Sequence, residues 1–263
     1  MSAMTRVVKI GGRAQGDPSL PGALAACVAS GDAVCVVHGG GDEVSALQRR
    51  LGMEPRFLGG RRVTSAEDLD VVRMVLSGTT NKRLVAQLLS AGVRAVGVSG
   101  EDAGMFRARI TDDRMGKVGG RVDVDGTLVA HLVAGGFVPV VSPLARDAND
   151  PAGGGLNVNG DDAAAALAGA IHADDLVLVA DVPGVLEDGA VIPTLDLDTA
   201  ADLVTRGVAT GGMAAKLEAA AHALSLGVSC VRIAGIAGIG SITSGTRIVP
   251  AGHSVPSQPR TAQ

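Results

Sequence analysis

Six short runs of β-branched and aliphatic residues, at 7–10, 33–37, 95–98, 138–141, 176–180 and 230–233, recur along the chain with longer Ala- and Leu-rich segments between them. Runs of this length with little polar alternation suit strands buried on both faces, and the intervening helices return each strand to run parallel to the last. The pattern constrains the fold to an α/β class: a mostly parallel open sheet with helices on both faces. Helices are expected near 20–30, 43–51, 66–77, 79–91, 128–134, 162–171, 198–206 and 213–226, with Thr64-Ser65-Ala66-Glu67 as a capping box for one of them. Alternating runs between 99 and 124, such as "MFRARI" and "KVGGRVDVDG", predict antiparallel hairpins added to the sheet near its working edge, where they are placed to form a lid. "NDPAGGGLN", 149–157, is the most turn-rich internal stretch and the expected hinge between two lobes, 1–155 and 156–252, followed by a disordered tail, 253–263.

Composition removes several function classes. A net charge of −4 disfavours a polyanionic partner, and no Trp, no Tyr and 3 Phe leave no platform for stacking bases, so nucleic acid is not expected. No segment approaches the roughly 20 apolar residues of a membrane span, and "MSAMTRVV" lacks the apolar stretch of a signal peptide. Cys27, Cys35 and Cys230 sit in apolar runs without CxxC spacing and read as reduced, buried thiols. A soluble, cytoplasmic protein with no membrane partner is therefore expected.

Five places carry chemistry. "VCVVHGGGDEVSAL", 34–47, is a strand, three glycines and a helix, so its loop offers free backbone N–H groups and the positive end of a helix dipole to an anion. A glycine turn before a helix is also ordinary punctuation, His38 reads as a packing or turn residue, and the Walker phosphate-loop pattern is absent. "RVVKIGG", 6–12, repeats the device at the first strand with a cation, Lys9, beside Gly11 and Gly12. Such a lysine often just snorkels to water. Both loops, however, lie at carboxyl ends of strands expected to be neighbours, the side on which open α/β sheets bind ligands.

In "GGGLNVNGDDAAAALAGAI", Asn157, Asn159 and Asp161 precede or open an Ala-rich helix, and capping accounts for only one of the three. "VATGGMAAKLEAA" places Lys216 in the first turns of a helix, where the dipole disfavours a cation unless an anion compensates; pairing with Glu218 is the plainer alternative. "VLVADVPGVLEDG" is a buried strand ending at Asp181 and turned by Pro183-Gly184.

In order and spacing these segments, together with "GRRVTSAEDLDVVRMVLSGTTNK", "GFVPVVSPL" and "GTRI", resemble the amino-acid kinase family across nearly the whole chain. Within it they resemble the branch that phosphorylates the γ-carboxylate of N-acetyl-L-glutamate in arginine biosynthesis. The resemblance implies the three-layer α/β/α sandwich of the carbamate kinase-like fold, an N-terminal lobe for the amino-acid substrate and dimerisation, a C-terminal lobe for ATP, and a homodimer built partly on the helix after Thr64. It also implies Mg2+, held mainly by the nucleotide phosphates rather than by a protein metal site. The chain starts without the N-terminal helix that joins dimers into hexamers in arginine-inhibited relatives, so a dimer without arginine feedback is expected.

Carried over residue by residue, the resemblance makes Lys9 and Lys216 stabilise the transferred phosphoryl group, with Asp161 between them as organiser. Gly40 and Gly41 donate N–H groups to the acceptor, and Arg62, rather than Arg61, clamps its α-carboxylate with help from Asn157. Gly11 and Gly12 receive donor phosphates. Asp181, Val182, Pro183, Gly184, Val185 and Leu186, with Val208, Ala209 and Thr210, line the nucleotide pocket. The chemistry suits these roles: a γ-carboxylate of pKa about 4.3 is already ionised at pH 7 and needs no general base, so the task is to bring an anion up to a polyanion. N-succinylglutamate and carrier-linked aminoadipate remain alternative acceptors, although "FLGGRRVTS" lacks an insertion expected of the aminoadipate type. A non-catalytic nucleotide or amino-acid sensor is the alternative from another class. The basic residues Arg107, Arg109, Arg114, Lys117 and Arg121 are read as a solvated face.

Overall fold

The computed structural model describes residues 3–252 apart from 151 and 153. The tail expected at 253–263 lies outside the described residues, and the hinge stretch 149–157 is described in part. The chain opens with β1 (Thr5–Ile10), α1 (Leu20–Ala29), β2 (Ala33–His38) and α2 (Gly41–Arg50), then a short hairpin of β3 (Phe57–Leu58) and β4 (Arg61–Arg62). α3 (Ala66–Arg73) runs through a π-helical stretch, Met74–Thr80, directly into α4 (Asn81–Ser90). β5 (Ala95–Ser99), β6 (Phe106–Ile110), β7 (Gly119–Val124), α5 (Thr127–Ala134), β8 (Val138–Ser142), β9 (Leu144–Asp147) and β10 (Gly155–Asn157) follow. The second half contains α6 (Gly160–Ala170), β11 (Asp175–Val179), β12 (Leu186–Glu187), β13 (Ala190–Val191), β14 (Thr194–Asp196), α7 (Leu197–Thr205), α8 (Gly212–Ser225), β15 (Cys230–Ala234) and β16 (Thr246–Val249).

Eight strands form the central sheet in the order β14-β16-β15-β11-β1-β2-β8-β5, parallel except where β15 meets β16. The six strands read from the sequence are its six consecutive members from β15 to β5, because the five inner ones, buried on both faces, and the apolar edge strand β5 leave runs broken by a charge only at Lys9 and Arg232. Strand alternation sorts the core into two layers. Val7, Cys35, Val37, Leu176 and Leu178 face one layer with the alanines of α6, and Val8, Ile10, Val34, Val36, Val177 and Val179 face the other with α1 and α4. The buried alanines of α6 carry small side chains where that helix packs on β1.

Three expectations need correction. The hairpins of 99–124 do not join the central sheet: β6 and β7 pair antiparallel in a separate sheet, β10-β9-β6-β7. Pro143, between β8 and β9, supplies no backbone donor and fixes φ at the point where the chain leaves the central sheet. The capping box is Ser65 with Asp68: Ser65 Oγ accepts from the Asp68 N–H at 3.1 Å and Asp68 accepts from the Ser65 N–H at 2.9 Å. Thr64 cannot cap, since its N–H donates to Met115 O, its carbonyl accepts from the Lys117 N–H and its hydroxyl accepts from Asn157. The break expected between two helices at 78 is the π-helical stretch, through which the chain stays helical.

One buried polar cluster has no counterpart in the sequence reading. Arg6, Asp175 and Arg232 are all at most 2% exposed, and Asp175 accepts from Arg6 Nε at 2.8 Å and from Arg232 Nε at 3.0 Å, tying β1, β11 and β15 together. Arg232 also donates to the carbonyls of Gly238 and Ser244, ordering the loop after β15.

Candidate active site

Lys9 sits where the period-two rule of a strand and the end of that strand coincide. It shares the face of Val7, toward α6, but lies near the carboxyl end of β1, opposite the first turn of that helix. Its Nζ is 3.0 Å from Asp161 Oδ2, and Lys216 Nζ is 3.0 Å from the other oxygen, Oδ1. All three side chains are buried, at 9%, 10% and 8% exposure for Lys9, Lys216 and Asp161. Burial works to raise the Asp161 carboxyl, and the two ammonium groups overcome it and hold the carboxyl below its ordinary value. Burial, and after it the neighbouring Lys216, hold the Lys9 ammonium below its ordinary value against the opposing pull of Asp161. Two cations against one anion leave a net positive charge in a poorly solvated place, which favours a further anion beside it.

Local structure explains why Asp161 is free for this. Asn159 is the N-cap of α6, its Oδ1 accepting from the N–H groups of Asp161 at 2.8 Å and Asp162 at 3.2 Å, so Asp161 itself has no capping duty. Gly160 matters for space: a Cβ there would stand 3.3 Å from Lys9 Cε. Lys216, on the second turn of α8, finds its compensating anion in Asp161; Glu218 is exposed and faces Arg61 instead.

The two glycine loops lie side by side, with Gly39 N–H donating to Ile10 O at 2.9 Å and a Cβ on Gly12 coming within 3.8 Å of Gly40. Gly40 has φ +151°, and a Cβ there would meet Leu76 Cδ2 at 2.8 Å. Behind this loop His38 is fully buried and bonded on both ring nitrogens, Nε2 to Asn81 Nδ2 at 3.1 Å and Nδ1 to Gly39 O at 2.8 Å. An amide NH2 can only donate and a carbonyl can only accept, so the network assigns a neutral ring with its proton on Nδ1. Burial pushes the His38 pKa down to about 4, in agreement. Asn81 also donates to Val140 O at 2.8 Å, tying the π-helical stretch and α4 to the sheet under the loop. Sequence reasoning passed over Asn81 and Gly160.

A cavity of about 230 Å3 opens beyond Gly39, Gly40 and Gly41, bordered by Arg62, Asn157, Asn159 and Gly160 among others. Arg62 is 9% exposed; it donates to Gly41 O and Ser45 Oγ, both at 2.7 Å, and to Gln48 Oε1, with the Phe57 ring 4.9 Å from its guanidinium carbon. Asn157 Nδ2 donates to Thr64 Oγ1 at 3.1 Å. Arg61 borders the same cavity but is 39% exposed and pairs with Asp162 and Glu218.

On the other side a cleft of about 520 Å3 is lined by Gly11, Gly12, Arg13, Gly41, Asp42, Asp181, Val182, Gly212, Met213 and Lys216 among others. Of the remaining expected nucleotide residues, Val185 and Ala209 are buried in the core at 2% and 4% exposure, with the Val185 N–H donating to Thr246 Oγ1. Gly184 is buried under Thr246, Leu186 is half-buried in the β12–β13 hairpin, and Pro183, Val208 and Thr210 are exposed. These do not border the cleft itself. Arg107, Arg109, Arg114 and Arg121 are exposed, as read from the sequence, while Lys117 is half-buried and its main chain bonds Thr64 and Asn157.

A parallel sheet with glycine loops at its carboxyl edge, and a lysine pair between two openings, is the frame of a phosphoryl-transfer protein; the chain belongs to the amino acid kinase family, whose model matches residues 4–235. The particular relatives narrow this. The chain is 43% identical over 237 residues to the acetylglutamate kinase of Chloroflexus aurantiacus, covering 89% of this chain and 92% of that protein. Among solved structures it resembles a Streptococcus mutans protein with a TM-score of 0.83 and 28% identity, over 93% of this chain and 98% of the other. It shares its fold with carbamate kinase from Giardia lamblia at a TM-score of 0.67 and 15% identity, over 95% and 99% of the two chains.

Proposed function

We infer that the protein is an ATP-dependent kinase that moves the γ-phosphoryl group of ATP to the γ-carboxylate of N-acetyl-L-glutamate, giving N-acetylglutamyl 5-phosphate in arginine biosynthesis. The observation that carries this reading is the Lys9–Asp161–Lys216 constellation, buried between a small cavity and a larger cleft. Its similarity to acetylglutamate kinases supports the choice of acceptor.

In this reading the acceptor carboxylate enters the cavity already ionised, with Gly40 and Gly41 offering backbone N–H groups and Arg62 with Asn157 holding the α-carboxylate. ATP lies in the cleft with its phosphates over Gly11 and Gly12 and its nucleoside beside Asp181 and Val182, while Val185 and Ala209 back that wall from the core. A carboxylate oxygen forms a bond to the γ-phosphorus as the bond to the ADP oxygen breaks; the electron pair leaves with ADP and no proton moves. Repulsion between anions is the barrier, and the ammonium groups of Lys9 and Lys216 offset it while Asp161 keeps them a fixed distance apart. His38 has both ring nitrogens engaged and faces away from this path, which fits a reaction needing no base.

Mg2+ would neutralise charge on the ATP phosphates. Asp42 and Asp181, which border the cleft, offer hard oxygen donors of the kind it takes. Among the described residues no group of three or more His, Cys, Asp or Glu could hold a metal. We further propose that 1–155 serves the acceptor and dimerisation and 156–252 serves ATP, that the protein is a cytoplasmic homodimer, and that the helix after Thr64 contributes to the interface. Met74, 61% exposed on that helix, favours the last point, and three unpaired cysteines favour a reducing compartment. Among the described residues no helix is long and apolar enough to cross a membrane.

The test is incubation with Mg-ATP, hydroxylamine and, in parallel, N-acetylglutamate, N-succinylglutamate, glutamate and aspartate. Hydroxamate from N-acetylglutamate above the others is expected. A preference for the succinyl compound would move the acceptor, and no hydroxamate from any of them with the fold intact would favour a sensor.

A further inference from the structure

The β3–β4 hairpin carries two adjacent arginines, and the reading above uses only Arg62. The hairpin is slight: Phe57 pairs with Arg62 and Leu58 with Arg61, around Gly59 and Gly60 at φ 56° and 77°. Phe57 and Leu58 are 54% and 43% exposed, so little apolar burial holds its tip. From that tip Arg61 Nη1 lies 3.1 Å from Asp162 Oδ2 on α6, and Nη2 lies 3.8 Å from Glu218 Oε2 on α8. These two carboxylates are sequence neighbours of the transfer residues, Asp162 following Asp161 and Glu218 standing two residues after Lys216. Adjacent residues on a strand project to opposite faces, so one two-residue strand aims Arg62 at α2 and Arg61 at the two helices that hold the buried ion cluster.

We propose that Arg61 is a positioning residue: its bridge to Asp162 and Glu218 latches the acceptor hairpin to the helices bearing Asp161 and Lys216, so that Arg62 is presented in register with the two ammonium groups. The proposal rests on reading the cavity at Gly40 and Arg62 as the acceptor site. Asp162 is 23% exposed and Arg61 39%, so the pair is only partly screened by solvent. Arg61 also borders the cavity, which gives a rival role in which it touches the acceptor directly.

Steady-state kinetics of R61Q, R61K, D162N and the R61Q/D162N double variant separate these. The latch predicts an acceptor KM about tenfold higher in R61Q, with kcat and the KM for ATP within about twofold, and partial recovery in R61K. It further predicts that D162N repeats the rise and that the double variant is no worse than the worse single, because both changes break one contact. An acceptor KM unchanged in R61Q overturns the latch, as does a KM that rises in R61Q while D162N leaves or lowers it, the mark of direct contact. Hydrogen exchange of amides 57–62 in the ligand-free protein tests the latch whatever the acceptor proves to be. Faster exchange in both R61Q and D162N supports it, and unchanged exchange overturns it. Absence of hydroxamate from the wild-type protein would count against the acceptor assignment alone.

Discussion

Lys9 and Lys216, at opposite ends of the chain, bind separate oxygens of one carboxylate, each at 3.0 Å, and leave the site one positive charge in excess. If that excess serves the transferred phosphoryl group, either lysine can be removed and still leave Asp161 a partner. Lys9→Ala and Lys216→Ala are each expected to lower kcat by about 10²–10³-fold, about 3–4 kcal/mol, by analogy with loss of an oxyanion donor. Steady-state rates and thermal unfolding on the same samples check this; a loss of stability matching the loss of rate would make the lysines structural.

Asp161→Asn is expected to act differently. It leaves two buried ammonium groups facing each other with no anion between them, so stability falls by about 3–5 kcal/mol, more than for either lysine variant. Denaturant unfolding in the presence and absence of inorganic phosphate reads it, with phosphate restoring part of the loss.

Arg62→Lys keeps the charge but loses the planar fork that spans Gly41 O, Ser45 and Gln48. An increase in acceptor KM of about ten- to a hundredfold is expected, about 1–3 kcal/mol, with the KM for ATP unchanged. Equal increases for both substrates would place Arg62 outside the acceptor site.

His38 gives a pH prediction. Burial lowers its pKa from 6.5 to about 4 in the folded chain. Between those values the unfolded chain binds more protons, so stability rises with pH; the contribution is full above about 6.5, is lost as pH falls toward about 4, and amounts to about 3 kcal/mol. His38→Gln should flatten the pH dependence of unfolding across this window, and an unchanged slope would contradict the neutral, doubly bonded ring.

What the sequence revealed follows from locality. Inner strands write their burial as nearly continuous apolar runs, so β1, β2, β8, β11 and β15 were legible, as was the half-buried but apolar edge strand β5, while β14 and β16 at the other end of the sheet have mixed composition and were not. Lys9 and Lys216 were legible because each sits at a strand or helix end where a cation needs a reason, and Asp161 because it is one of three polar residues at alternate positions, more than capping needs. Their distances were not legible, nor was the Asn81–His38 bond across 43 residues or the burial of Arg6 and Arg232 on Asp175, since nothing near those residues in sequence signals the partner. The capping box slipped by one residue for the same cause: Thr64 is taken up by main-chain bonds to Met115 and Lys117.

The central claim is that an acceptor carboxylate oxygen attacks the γ-phosphorus at the lysine pair. N-acetylglutamate labelled with oxygen-18 in its γ-carboxylate tests it most directly, by phosphorus NMR of the inorganic phosphate released when hydroxylamine captures the product. Attack by the carboxylate leaves the label bridging carbon and phosphorus, and hydroxylamine cleaves on the carbon side, so the released phosphate is expected to carry one labelled oxygen. Phosphate without label, appearing with ADP, would mean that water took the phosphoryl group and would contradict the account.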